Sequence, residues 1–331
     1  MRKKIISSLL FFIASSLHAE VVNIPKQSGL TGFVMAGVGA IDYESNMYAG
    51  PDDDNKRHQG LGNSPEKHSA PIPILGIDLR YTFADTQTQI FLGNLIQDAV
   101  RFDFTQQAGV RQQWDEKGIL SLGYVFPLMP SKSWVDPYTS GNRDETDIKS
   151  GGGRISWEQI LGTDFNASYT QRSFDVNDEK SGQSLPLTPD ERELLNRNGK
   201  VRDMALSYDL LFAPGYVFEP EFIYTRAELD GKAMSYDKTA IHLSYGYNNP
   251  QWSIATNFFG ALLKYDETNP IYNRKADATE FGVSTTFFWH RLAGITGLNA
   301  FIGASYSKSD SDIDFYDSSV TSMNTGILYH F

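Results

Sequence analysis

The chain is built from short segments in which apolar and polar residues alternate. That period-two pattern dictates strands whose two faces meet different surroundings. Turn residues bound the segments, chiefly Gly, Pro, Asn and Asp. They fall at Leu30–Tyr43, Ile72–Phe83, Thr86–Leu95, Val100–Gln113, Ile119–Leu128, Gly153–Leu161 and Asp164–Val176. They continue at Val201–Phe212, Tyr216–Leu229, Tyr236–Tyr247, Trp252–Tyr265, Ala278–Trp289, Leu298–Ser307 and Val320–Phe331, which makes fourteen. Beyond the N-terminus no run of eighteen apolar residues occurs, so membrane-crossing helices are excluded.

The connections alternate in length. Ala84–Asp85, Trp114–Gly118, Gly162–Thr163, Ala213–Gly215, Asn248–Pro250 and His290–Gly297 are short. Glu44–Ser69, Pro130–Gly152, Asn177–Lys200, Asp266–Asp277 and Lys308–Ser319 are long, while the connections near Ile96–Asp98 and Asp230–Lys232 are short members of that second set. Turns on one rim and loops on the other describe a transmembrane antiparallel up-and-down β-barrel with its turns in the periplasm. An even strand number returns both ends to that side, and twelve or sixteen strands differ from fourteen by one hairpin. Within one loop, Thr188-Pro189-Asp190-Glu191 predicts a capped helical turn.

A soluble β-sandwich is the alternative, and it would bury one face of every strand in a dry core. The second face here carries Asp78 and Arg80, Arg101 and Asp103, Arg154 and Glu158, and Glu219 and Glu221. Each unpaired charge in a dry core would cost several kcal/mol. A water-filled lumen removes that penalty, and the barrel is preferred.

Both ends of the chain agree. Arg2, Lys3 and Lys4 precede an apolar run from Ile5 to Leu17, with Ala19 before Glu20. This reads as a signal peptide over residues 1–19, followed by a barrel over residues 20–331 with strands from about residue 30. Leu17 departs from the small-x-small cleavage pattern, which leaves the cut position open. At the other end Met323, Thr325, Ile327, Tyr329 and Phe331 share a face, and only Leu328 breaks the alternation. The set Ile327, Tyr329, Phe331 resembles the closing strand of outer-membrane barrels, which the barrel assembly machinery reads.

Cysteine is absent, so disulfides contribute nothing to stability. The formal charge is -11 and becomes -14 without the three basic residues of the leader. Such a balance repels phosphate and excludes nucleic acid as a partner. Trp114, Trp157, Trp252 and Trp289 lie near strand ends and read as interfacial girdles.

Several segments carry a resemblance. Trp134–Tyr138, Arg143–Asp147, Ser181–Leu185, Leu229–Ser235, Asn269–Asn273 and Ile313–Asp317 are similar to segments of an uncharacterised porin-like outer-membrane family, domain of unknown function 2860. The resemblance spans the mature chain. It implies the fold and a location in the outer membrane of a Gram-negative envelope, and brings no substrate or catalytic residues.

Three functions follow from the residues. The first is a porin-like channel for passive diffusion of small hydrophilic solutes. Strand parity puts Arg80, Arg101, Arg111, Arg154 and Arg172 inward on strands two to seven, and Asp203, Asp209, Glu219, Glu221 and Glu280 inward on strands eight to twelve. Two such walls would set a transverse field across the lumen, unless Asp78, Asp103, Glu158 and Lys238 neutralise them locally. The second is an outer-membrane hydrolase. His242 and Ser244 have a bare nucleophile spacing, but their parity points to the lumen, whereas a lipase must face lipid. The third is a plugged barrel with a surface-binding, adhesion or structural role. Pro51–Asn55 and Asp310–Asp314 are oxygen-rich, yet Phe315 stands where a calcium loop needs Gly, so solvated acidic loops are the simpler reading and no metal or other cofactor is expected. The partners expected are outer-membrane lipid and lipopolysaccharide, the barrel assembly machinery and small hydrophilic solutes. Oligomeric state is not readable.

Overall fold

The computed structural model describes residues 23–51, 54–93, 105–127 and 131–331, so Arg101, Asp103 and the proposed signal peptide lie outside the described residues. Sixteen strands make fourteen staves. The first half comprises β1 (Gly29–Ser45), β2 (Lys67–Phe83), β3 (Thr88–Gly93), β4 (Thr105–Trp114), β5 (Gly118–Pro127), β6 (Ser131–Trp134), β7 (Glu145–Glu158) and β8 (Phe165–Val176). The second half comprises β9 (Gly199–Tyr208), β10 (Leu210–Ala213), β11 (Tyr216–Leu229), β12 (Tyr236–Asn248), β13 (Trp252–Tyr265), β14 (Ala278–Trp289), β15 (Leu298–Ser311) and β16 (Ser318–His330). Both β5 and β6 pair with β7, and both β9 and β10 pair with β11, so each of these couples counts as one stave. Every stave pairs antiparallel with its sequence neighbour. β16 returns to β1 in register from Phe33↔His330 to Ser45↔Ser318, which closes the sheet without an edge.

The outward residues are large and apolar, as a surface facing lipid requires: Val38, Leu75, Ile241, Leu262, Ile302 and Met323 are all exposed. Trp114, Trp157, Trp252 and Trp289 all stand within one residue of a strand end on the short-turn rim and are exposed there. The indole of Trp157 donates to the Lys117 carbonyl at 2.7 Å. An amphipathic ring with one wet end suits an interface.

The structure corrects several of the strand bounds read from the sequence. β7 begins at Glu145 rather than Gly153, and β15 runs to Ser311 rather than Ser307. The stretches Glu145–Ser150 and Lys308–Ser311 are polar but for Ile148, because the hairpins project beyond the apolar belt and lose the alternation that marks a half-buried strand. Leu161 ends no strand; it lies in the turn Ile160–Gly162 with φ 54°, a left-handed position. Leu328 is the one departure from the alternation, an apolar residue on the inner face, and it is fully buried against Phe33, Phe288 and Phe301. The capping box at Thr188 is present, with Glu191 N–H donating to Thr188 Oγ1 and Thr188 N–H donating to the Glu191 carboxylate.

Candidate functional site

Alternation along the staves sets the inner wall. Asp78, Arg80, Arg111, Arg154, Glu158, Arg172, Asp203, Asp209, Glu219, Glu221, Lys238, His242 and Glu280 share the face opposite the apolar belt. Large inner side chains lie flat where a neighbouring stave presents Gly. A Cβ on Gly326 would come within 2.7 Å of the Phe301 ring, one on Gly282 within 2.3 Å of Phe259, and one on Gly109 within 2.9 Å of Phe91. Each ring therefore covers backbone rather than projecting across the lumen.

The charges are not sorted into two separate walls. Arg80 reaches Asp78 at 2.7 Å, Arg111 reaches Glu158 at 2.7 Å, and Lys238 reaches Glu280 at 3.6 Å. Arg172 stands 3.9 Å from Asp203, across the line that was expected to divide the walls. Arg154 donates to Thr170 Oγ1 at 2.7 Å, and Asp209 accepts from Asn166 at 3.0 Å. Pairing within a strand, or between staves one or two apart, balances Arg80, Arg111, Arg172 and Lys238 locally. The His242 ring packs on Phe259 at 5.4 Å, and Ser244 Oγ donates to Asn257 at 3.3 Å rather than to His242, so the nucleophile spacing assembles no catalytic pair.

The outer mouth holds what sequence reasoning missed. Among the described residues, five long-rim connections supply one apolar core of Tyr138, Leu195, Met234, Ala276, Ile313 and Phe315, and a sixth packs Met47 and Leu61 against it. Leu195 and Phe315 come from loops rooted six staves apart in a ring of fourteen, so their cluster must bridge the mouth as a dome. Polar groups fasten it. Asp136 accepts from the backbone N–H groups of Gly182 and Ser184 at 3.0 and 2.8 Å, which ties two loops together. The Arg143 guanidinium lies 4.3 Å over the Trp134 ring and donates to the carbonyls of Asn46 and Asn55, each at 2.7 Å. Arg197 donates to Glu179 and to the Trp134 carbonyl, again at 2.7 Å. The Tyr138 and Tyr316 hydroxyls join opposite sides of the mouth, with Asn269 donating to Tyr316 at 2.8 Å. Burial pushes both phenols up in pKa and pushes the Arg143 guanidinium down to about 10, still charged at neutral pH.

The acidic stretch Asp310–Asp314 is strand and dome rather than an ion loop. Ile313 is buried, and among the described residues no group of three or more metal-ligating side chains converges.

Acid should loosen the dome through His58. Its ring meets Phe315 edge-on at 5.3 Å, and Nδ1 accepts from the Gly60 N–H at 2.9 Å. Nε2 is buried without a partner among the described residues. Burial first, and the Arg143 charge second, hold the imidazole below its ordinary value near 6.5. An opened loop therefore binds a proton below about pH 6.5 that the closed dome excludes, so dome stability is present above that value and lost as pH falls through it. Protease cleavage of the loops in intact membranes should rise between pH 7.5 and pH 5, and His58→Gln should abolish the difference. Cleavage that does not change with pH would contradict this.

Fold and inner wall together define a closed fourteen-stranded antiparallel barrel with an apolar exterior, a charged interior and a capped outer mouth. Residues 29–330 match the family described as protein of unknown function (DUF2860), and the chain belongs to that family. No curated protein matches it in sequence. Among solved structures it is similar to the outer membrane channel DcaP of Acinetobacter baumannii at 10% identity, with 92% of this chain and 97% of that one covered and a TM-score of 0.42. It is also similar to OmpT of Vibrio cholerae (8% identity, 93% and 100% covered, TM-score 0.42) and to a TodX monoaromatic hydrocarbon channel mutant (10% identity, 92% and 90% covered, TM-score 0.44).

Proposed function

We propose that the chain is an outer-membrane porin-like channel for passive diffusion of small hydrophilic solutes, seated in lipid and lipopolysaccharide after insertion by the barrel assembly machinery. The observation that carries this is the pairing of a lipid-compatible exterior with charged residues on the inner face of a closed barrel. A membrane protein that is polar inside and apolar outside has reason to hold water. Fourteen staves, spaced about 4.8 Å apart and tilted by about 40°, give a backbone diameter of roughly 28 Å, more than side chains alone fill. The pore-lining set is Asp78, Arg80, Arg111, Arg154, Glu158, Arg172, Asp203, Asp209, Glu219, Glu221, Lys238, His242 and Glu280, with Arg101 and Asp103 outside the described residues.

Proteoliposomes test this by swelling in graded sugars and amino acids. Swelling that falls with solute size supports a diffusion pore. The dome favours a second reading, a plugged barrel with a surface role, and absence of swelling from correctly folded protein would support it.

Ion selectivity gives a located test. Glu219→Lys with Glu221→Lys should lower the cation/anion permeability ratio several-fold, and Arg154→Glu should raise it, read as opposite shifts in reversal potential across a salt gradient. Both shifts should shrink near 1 M salt, where screening acts over about 3 Å. Insensitivity to all three reversals would remove these residues from the pathway.

A further inference from the structure

The described residues ahead of β1, Asn23–Ser28, stay against the barrel. Ile24 is only 4% exposed, although it precedes the first strand and belongs to no element. Its backbone N–H donates to Gln113 Oε1 at 2.8 Å, and Gln113 Nε2 donates to Asn23 Oδ1 at 3.3 Å. Gln113 shares the inner face of β4 with Arg111, whereas Val110 and Trp114 on the other face are exposed. Closer to β1, Ser28 Oγ accepts from the Ala84 N–H at 2.9 Å on the turn between β2 and β3. From the start of β1 the chain passes the turn between β2 and β3 and reaches the stave of β4. Three of fourteen staves subtend about 77° of the ring, a chord of roughly 17 Å in a backbone diameter of roughly 28 Å. On the adjoining wall, at the same rim, Phe33, Phe288, Phe301 and Leu328 form a buried apolar ridge on the inner face.

We propose that Asn23–Ser28 is a strap along one sector of the inner mouth of the lumen that, with the apolar ridge beside it, sets the size of solute the channel passes. The proposal rests on the channel reading. The strap is held by the inward amide of Gln113 and by the neighbouring turn between β2 and β3. Ile24 supplies an apolar side chain that is shielded in the mouth instead of exposed to water. The site is specificity-determining and narrows the pathway from one sector.

Two variants test it: deletion of Asn23–Gln27, and Ile24→Gly combined with Gln113→Ala, which keeps the chain length. Both should remain heat-modifiable and should raise unitary conductance at least twofold, with a larger size limit in liposome swelling. Conductance equal to that of the unmodified chain in folded variants would overturn the strap and leave the channel standing. No current from any of the three would overturn the channel reading, and the strap with it. The chain has no cysteine, so Asn23→Cys with Gln113→Cys makes a unique thiol pair. A short bifunctional thiol reagent should join them in intact membranes and hold conductance at the unmodified value. Failure to cross-link would place the segment elsewhere and overturn the proposal.

Discussion

Phe315→Ala should dismantle the loop dome and leave the barrel closed. Phe315 is fully buried, with ring contacts to Tyr138 at 5.5 Å and Tyr272 at 6.1 Å, and its carbonyl accepts from Asn46. Removing a buried Phe side chain costs about 3–5 kcal/mol, because the cavity adds to the lost transfer energy. Among the described residues the dome has one such core, so that loss is comparable to the whole stability of a small domain. The loops should become cleavable by protease added to intact cells, and channel openings should lengthen as the cap loosens. The barrel should still resist SDS at room temperature and shift on a gel only after boiling. Loops that stay protected in the variant would mean that the mouth is held by hydrogen bonds alone.

Gly152→Val should abolish assembly instead. Gly152 sits on the inner face of β7, and a Cβ there would lie 1.8 Å from the Gln171 carbonyl oxygen on β8. Backbone cannot yield as a flexible side chain does, so the two staves must separate. Within the membrane each orphaned N–H or C=O costs several kcal/mol, since no water replaces the lost partner. Heat-modifiable protein should fall at least tenfold, with the remainder degraded or aggregated. Gly153→Val is the control, because a Cβ there meets nothing within 4 Å. Equal yields of the two variants would show that this close approach does not constrain the barrel.

The sequence made the membrane-embedded part of the fold legible for a definite reason. In β11, β13 and β14 an apolar outer face ends abruptly at turn residues such as Ala213–Gly215 and Asn248–Pro250, so the predicted and observed bounds coincide. Where the hairpins leave the apolar belt, at Glu145–Ser150 and Lys308–Ser311, both faces meet polar surroundings and the periodic signal vanishes. The inner face was legible by parity, but the pairing of its charges was only partly so. Asp78 and Arg80 are two residues apart on one strand, whereas Arg111 finds Glu158 across a stave and 47 residues away. The dome gave no periodic signal, because Trp134 and Phe315 are buried by partners from other loops. Yet Trp134–Tyr138, Arg143–Asp147, Ser181–Leu185, Leu229–Ser235, Asn269–Asn273 and Ile313–Asp317, the segments that carried the family resemblance, all contribute to the dome or its fastenings. Leu328 is the converse case. It broke the pattern because an inward apolar residue is needed where the inner wall builds its own small core.

The central claim is that water and ions pass through the barrel despite the bridged outer mouth. Recording from the purified, heat-modifiable protein in a planar lipid bilayer tests it most directly. Discrete current steps of uniform size, rising with salt concentration and present without any added ligand, are the predicted result. Folded protein that inserts but yields no steps at any voltage or salt concentration would contradict the claim.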